Sequence, residues 1–508
     1  MNLKISHLPL ILFFALLINF FLQTFTLAQQ ENENITIGTY RILHSKILNE
    51  DRTLLISLPR GYDRSMLSYP VVYLLYGDQV KGYFAETVHI LDRLGESSEI
   101  PQMILVGVAN TERYRDNLPL QRDGSPGGAD KFLNFFTDEL IPFVDDNYRT
   151  KDFRIMVGPQ AGAMFGVYSM MENPDVFNAF ILNNPFWIGY TRDFIIQRTE
   201  AFFNKNKSFK KFLFISYGSS DDQPEAMDYV QKFAQIIEAK NPQNFHFKLN
   251  RMSEEDRQDF IPPLGLKRGL RSLFQDYKFP EDMEVAGLDD IKTYYQHLSP
   301  KYGFEVDVPE FVMVLQGVKL SQQRNYAAAQ EIFEYLIEIY PNSLNAFIQL
   351  GNLHRTLGNF EQALMYFQKF QENRTDAFIQ NQIVTLERMI NESAAYAIEK
   401  VLNKSGIDAA LKKYREIKSD AKSKLYFDER EFNALGYRLM GKGDLKAAIE
   451  IFKLNVEMYP KSANVYDSLG EAYMNKGEKE LAIQNYQKSL ELNPENENAK
   501  EMLKKLDH

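Results

Sequence analysis

The sequence predicts an α/β three-layer sandwich followed by an all-α solenoid of helical repeats. Three observations carry that prediction. Between residues 35 and 278, short apolar runs alternate with stretches of helical spacing. Beyond Pro309 no run has strand character. Residues 309–508 match themselves at a shift of 34. Buried apolar runs separated by helices make a parallel sheet covered on both faces. A period of this length is that of a two-helix unit.

The totals bound what the chain can do. Its 508 residues are too many for one ordinary domain. Hydrophobic residues make up 44% and charged residues 25%, enough apolar mass for real cores. The net charge of −10 argues against nucleic acid as a partner, which needs a basic face. The absence of cysteine excludes thiol catalysis, disulfides, cysteine zinc sites and a lipidated cysteine anchor. With seven histidines and no HExxH pair, no metal site and no cofactor are expected.

The first 28 residues read as a secretory signal. Lys4 supplies a positive start, residues 8–22 are largely apolar, and Thr26-Leu27-Ala28 resembles a cleavage site. Fifteen apolar residues at about 1.5 Å each fall short of the ~30 Å hydrocarbon core. The expected location is therefore periplasmic or extracellular, with no stable membrane span once the signal is cleaved.

The α/β part, residues 29–285, then reads in order. Residues 53–58 (TLLISL) form a strand before the turn Pro59-Arg60-Gly61. Residues 71–76 (VVYLLY) end at Gly77-Asp78, and 103–108 (MILVGV) make a further buried strand. Phe132, Phe135, Phe136, Leu140 and Phe143 give residues 132–148 helical spacing. Residues 153–157 (FRIMV) are a strand ended by Gly158, and 212–217 (FLFISY) one ended by Gly218. His246 alternates with Phe245 and Phe247, so it reads as a strand-borne polar residue. Residues 286–308 are acidic and polar and read as a linker.

In the array, Gly436 maps to Gly470, Gly443 to Gly477, Ala448 to Ala482, Phe452 to Tyr486 and Pro460 to Pro494. An earlier pair maps Gly317 to Gly351, Ala329 to Ala363 and Phe333 to Phe367. This pattern resembles the tetratricopeptide repeat. Small residues let the two helices of a unit approach, an aromatic fills the gap to the next unit, and a proline ends the second helix. The pairs cover about 310–376 and 429–496. Residues 377–428 are helical without the signature, as a divergent repeat or a spacer, and 497–508 make a capping helix. The resemblance implies a protein partner bound through the array.

The front domain resembles the serine esterases of the α/β-hydrolase fold, the group that includes esterase D and the ferric-enterobactin esterases. His44-Ser45 before Glu50-Asp51-Arg52, residues 69–78 (YPVVYLLYGD), 106–119 (VGVANTERYRDNLP) and 127–150 (GGADKFLNFFTDELIPFVDDNYRT) carry the resemblance. In that fold the nucleophile sits on a sharp strand-to-helix turn that needs small residues on either side. Here the turn is Gly158-Pro159-Gln160-Ala161-Gly162-Ala163, with a helix from about Met164. Its glycines stand where the geometry requires them, but the nucleophile position holds Gln160. A primary amide has no group to deprotonate near neutral pH and forms no acyl-enzyme. By resemblance the base position falls at Gln258, and Asp221, beside Asp222, matches the acid. An acid alone orients nothing when the histidine is missing. The triad is therefore vestigial: Gln160, Asp221 and Gln258.

A pocket for a small carbonyl or anionic ligand can outlast the triad, built from backbone N–H groups at Gly77, Asp78 and Ala161. Asn110, Thr111, Arg113, Arg115 and Asp116 read either as a polar rim or as a loop held by its own salt bridges. Gly158, Gly162 and Gly166 form a small-residue series that lets a helix lie close on the sheet. The expectation is an exported, catalytically inactive esterase-like protein that serves binding or assembly. The alternative is an active carboxylic-ester hydrolase targeted by its repeats.

Overall fold

The computed structural model describes residues 36–75, 80–109, 112–186, 189–218, 224–252 and 261–506. The chain divides into two compact units. One runs to Arg60 and resumes over Ser68–Gln275; the other takes residues 61–67 with Asp276–His508.

The first unit is built on an eight-stranded sheet in the order β1-β2-β4-β3-β5-β6-β7-β8. The strands are β1 (Thr39–Ser45), β2 (Glu50–Ser57), β3 (Tyr69–Leu75), β4 (Ile104–Val108), β5 (Thr150–Pro159), β6 (Ala179–Asn183), β7 (Ser208–Tyr217) and β8 (Gln243–Arg251). The β1–β2 and β2–β4 pairings are antiparallel and the rest are parallel. Every residue of β3, β4 and β6 is buried, as strands covered on both faces require. On the edge strand β8, His246 is exposed and strand-borne.

Helices α1 (Val80–Glu96), α2 (Arg113–Asn117), α3 (Ala129–Phe135), α4 (Ile141–Asn147), α5 (Ala161–Glu172), α6 (Arg192–Lys205), α7 (Pro224–Lys240) and α8 (Ile261–Leu273) complete the α/β-hydrolase fold. The expected helix over 132–148 forms as part of one continuous helical run, Ala129–Asn147, with a π turn at Phe136–Leu140 between α3 and α4. One extra residue in the turn lets Phe132, Phe135, Phe136 and Leu140 all point into the core. There Phe136 stands edge-on to Tyr73 and Phe177, with ring centroids 5.7 Å apart in both cases.

The second unit is helical among its described residues. Helix α9 (Leu288–Tyr302) occupies most of the span expected as a linker, 286–308. Buried Leu288, Ile291, Tyr295 and Leu298 alternate with charged residues at helical spacing, which the acidic composition masked. Repeat 1 is α10 (Glu310–Gln322) and α11 (Tyr326–Ile339), and repeat 2 is α12 (Leu344–Leu357) and α13 (Phe360–Asn373). Then come α14 (Ala377–Glu392) and α15 (Ala394–Ser419), the latter broken at Gly406. Repeat 3 is α16 (Glu429–Gly441) and α17 (Leu445–Met458), repeat 4 is α18 (Ala463–Lys476) and α19 (Lys479–Leu492), and α20 (Glu497–Leu506) caps the array.

The period-34 positions have a direct steric meaning. A Cβ on Gly317, Gly351 or Gly436 would sit 2.4–2.5 Å from the ring of Phe333, Phe367 or Phe452. The aromatic thus lies on the glycine of its own unit, sixteen residues back, a contact the spacing alone did not specify. Between the two helices of repeats 2, 3 and 4, Gly358, Gly443 and Gly477 turn the chain at φ 81–82°. No described helix is long and apolar enough to cross a membrane.

Candidate functional site

The site is defined by how β5 hands over to α5. Gln160 joins them with φ 48° and ψ −113°, a backbone region that non-glycine residues rarely adopt. Its N–H donates to the Asn183 carbonyl at 2.7 Å, and its own carbonyl accepts from the Met164 N–H at 3.0 Å. The turn is thereby tied to β6 on one side and to the first turn of α5 on the other. The helix begins at Ala161 rather than near Met164, so the turn is sharper than expected.

The glycine series explains why the turn closes. A Cβ on Gly158 would lie 2.6 Å from the Gly162 carbonyl carbon. One on Gly162 would lie 3.1 Å from the Leu75 side chain, and one on Gly166 2.5 Å from Leu182. Strand end and helix start therefore pass almost in contact, the shape that raises the central side chain at the sheet's carboxyl edge. That side chain is the half-buried amide of Gln160. It can donate and accept hydrogen bonds but cannot attack a carbonyl. Ala161 is buried at the first position of α5, whose opening N–H groups have no intrahelical acceptor.

Gly77, Asp78, Asp221 and Gln258 lie outside the described residues, as do Asn110 and Thr111. Elements that flank them are described. β3 ends at Leu75, β7 ends at Tyr217, and α8 starts at Ile261.

Sequence reasoning missed a buried polar pair beside the turn. The Ser216 hydroxyl at the end of β7 donates to Asn183 Oδ1 at the end of β6. Both residues are buried, and α8 lies so close that a Cβ on Gly265 would be 2.0 Å from Asn183 Oδ1. The next residue, Asn184, has φ 52° and accepts from the Gly218 N–H at 3.3 Å. The one sequence signal was an Asn-Asn pair closing an apolar run.

The described part of the polar rim is a salt-bridge network. Arg52, fully buried on β2, pairs with Asp116 at 2.7 Å and Glu50 at 2.5 Å. Arg115 joins the same two carboxylates, each at 2.7 Å. Hydrogen bonding to Glu50, and then to Asp116, raises the Arg115 pKa further. The Arg52 guanidinium also lies over the Phe132 ring at 5.3 Å. With its charges mutually satisfied, the network pins α2 to the sheet. Among the described residues no group of acidic or histidine side chains could hold a metal ion.

The fold and the turn define an esterase-like α/β-hydrolase unit joined to a helical repeat unit. Comparison with known proteins gives the same pair. Residues 45–258 match the family described as "Putative esterase", and 315–378 and 463–496 match tetratricopeptide repeat families. The ferri-bacillibactin esterase BesA of Bacillus subtilis is 29% identical over 181 residues, 31% of this chain and 62% of the relative. An uncharacterized protein of the same organism, YjcH, is 29% identical over 149 residues, 28% of this chain and 59% of the relative. The chain thus matches less than two thirds of either relative's length. An IroE-like serine hydrolase structure from Shewanella oneidensis aligns with a TM-score of 0.51 at 24% identity, over 59% of this chain and 99% of that one. That likeness shows the fold.

Proposed function

We propose that this is an exported, catalytically inactive member of the esterase-like hydrolases, whose two units serve binding or assembly. The observation that carries the reading is Gln160, an amide on the strained turn where the chemistry needs a nucleophile. Loss of a triad serine or histidine costs on the order of 10⁶ in turnover. Here the nucleophile is replaced, and by resemblance the base at Gln258 is too. The repeat array supplies the surface for a protein partner. The front unit keeps a crest suited to a small carbonyl or anionic ligand. Ferri-bacillibactin, named for a relative, is the first compound to test there.

The retained turn and the esterase homology favour one second reading, an active carboxylic-ester hydrolase. A short-chain nitrophenyl ester separates the two. The mature protein is expected to show no turnover above background, and Gln160→Ser with Gln258→His to gain some. Wild-type turnover that Gln160→Ala abolishes would establish the active enzyme instead.

A further inference from the structure

We infer that the repeat array is jointed between α14 and α15, with the Tyr396 ring as the plug that holds the joint shut. Four independent observations converge on this place.

The first is the core. Repeat 2 and α14 share one apolar cluster, in which Phe347 and Phe367 meet Ile379, Ile383 and Leu386. Helix α15 shares a separate cluster with repeats 3 and 4, in which Ile398 and Tyr414 meet Phe432, Leu435 and Phe452. Residues 394–419 thus belong with repeats 3 and 4, and 377–392 with repeat 2. Ser393, extended at φ −83° and ψ 125°, ends one helix and caps the next.

The second is the register of the repeats. Within each pair, a carboxylate opening one repeat grips the start of the next. Glu310 accepts from Ser343 Oγ at 2.6 Å and Asn345 Nδ2 at 3.1 Å. Glu429 accepts from Ser462 at 2.8 Å and Asn464 at 3.1 Å. Repeat 4 opens with Ala463 instead, yet Asp467, one turn later, takes Asn496 and Asn498, each at 2.9 Å. Repeat 2 has Leu344 and Ile348 at these two positions, so the carboxylate grip stops at repeat 2, and Gln371 holds α14 to it instead, donating to the Asp376 carbonyl and to Gln380 Oε1, each at 3.2 Å.

The third is polarity. Arg438 of repeat 3 falls where repeats 2 and 4 carry buried Leu353 and Ala472, and Glu431 where they carry buried Ala346 and Val465. Repeat 3 therefore presents charge on a face that is apolar in the second member of each pair.

The fourth is a groove of about 310 Å³ between the two cores. Phe360 and Met389 line it from one side, Ala395, Ala434 and Arg438 from the other. Tyr396 crosses it. Although on α15, it is buried in the first cluster, with its ring 5.1 Å from Phe360 and its hydroxyl donating to Glu361. Lys400 adds an ion pair to Glu361 at 3.1 Å, and Arg438 lies over Phe360 at 5.4 Å. The Tyr396 plug, the Arg388 guanidinium over the Tyr426 ring at 4.7 Å, two backbone hydrogen bonds that tie Tyr426 to Glu392 and Ala394 at 2.8 and 2.9 Å, and a few side-chain polar contacts join halves that are each held by a continuous core. Movement between the halves would open or close the groove.

The chain has no native cysteine, so paired spin labels report without background. In the full chain, exposed Glu331→Cys with Glu480→Cys spans the joint, and Glu331→Cys with Gln362→Cys lies within one half. Pulsed dipolar spectroscopy should give a broader distance distribution for the spanning pair. Adding Tyr396→Ala should broaden or shift that distribution and leave the in-half pair unchanged. Glu361→Ala, at an exposed carboxylate, repeats the test in case Tyr396→Ala does not fold. A spanning distribution as narrow as the in-half one and unmoved by either variant overturns the joint. So does a Glu361→Ala effect that appears equally in both pairs, because the contact would then belong to a single core.

Discussion

At the scale of single residues, the turn at Gln160 separates what a sequence shows from what it hides. The glycines at 158 and 162 marked the turn because their spacing is imposed by contacts only a few residues away. Asn183, Ser216 and Gly265 stayed invisible because their contacts join three elements far apart in the chain. Two strained residues yield predictions. Gln160 holds φ 48° without a nucleophile's reason to do so. If the turn is now only structural, Gln160→Gly should raise stability by about 1 kcal/mol, seen as a higher denaturation midpoint. Arg324 has φ 64° at the place where the other three repeats use Gly358, Gly443 and Gly477. Arg324→Gly should likewise stabilise by about 0.5–1 kcal/mol, whereas Gly443→Arg should cost a similar amount. A fall in midpoint for Arg324→Gly would mean that its side chain contributes more than its backbone costs.

At the scale of elements, the period of 34 gave the helices of the four repeats directly, because sterics repeat with it. The grip between repeats was not legible, since its partners lie one full period apart and Asp467 substitutes from a different position. Removing it from repeat 3 by Glu429→Ala should cost about 1 kcal/mol, as two half-exposed hydrogen bonds to a carboxylate would. Urea denaturation followed by helical circular dichroism measures this, and an unchanged midpoint would mean the grip is decorative. His354 on α12 adds a pH dependence. It is buried, with its ring stacked 5.5 Å from Tyr366, and burial lowers its pKa against a partial opposing pull from Glu334. The unfolded chain therefore takes up a proton near pH 6.5 that the folded array refuses. The stability His354 contributes is full above that pH and is lost as the pH falls toward its lower folded value. The denaturation midpoint of the full chain should thus drop from pH 7.5 to 5.5, and His354→Gln should drop less over the same range.

At the scale of the whole molecule, both architectures were legible, because alternating buried runs and a fixed period are global patterns that local errors do not erase. The division between the units was not. Composition suggested a linker at 286–308, but helix α9 lies there and the helical unit begins at Asp276. It also takes in residues 61–67, more than two hundred residues earlier, where Tyr62 and Ser65 are buried and the Met66 N–H donates to the Ile339 carbonyl at 3.1 Å. No periodicity of 61–67 announces such a partnership, since a segment this short has no period of its own. Removing the parts of the unit in turn gives a graded test. A fragment of residues 276–508 lacks only 61–67 and should melt a few degrees below the helical transition of the full chain, the size of shift that about 1–2 kcal/mol produces in a domain of this length. A fragment of 309–508 also loses α9, with the fully buried Tyr295 and its 5.5 Å edge contact to Tyr277, and should melt lower still. If all three transitions coincide, α9 and 61–67 contribute nothing to the array, and a partner search could begin from 309. If they fall in the stated order, a negative result with the shortest fragment would report lost stability rather than a missing partner, and the full chain is the form in which the array must be tested for binding.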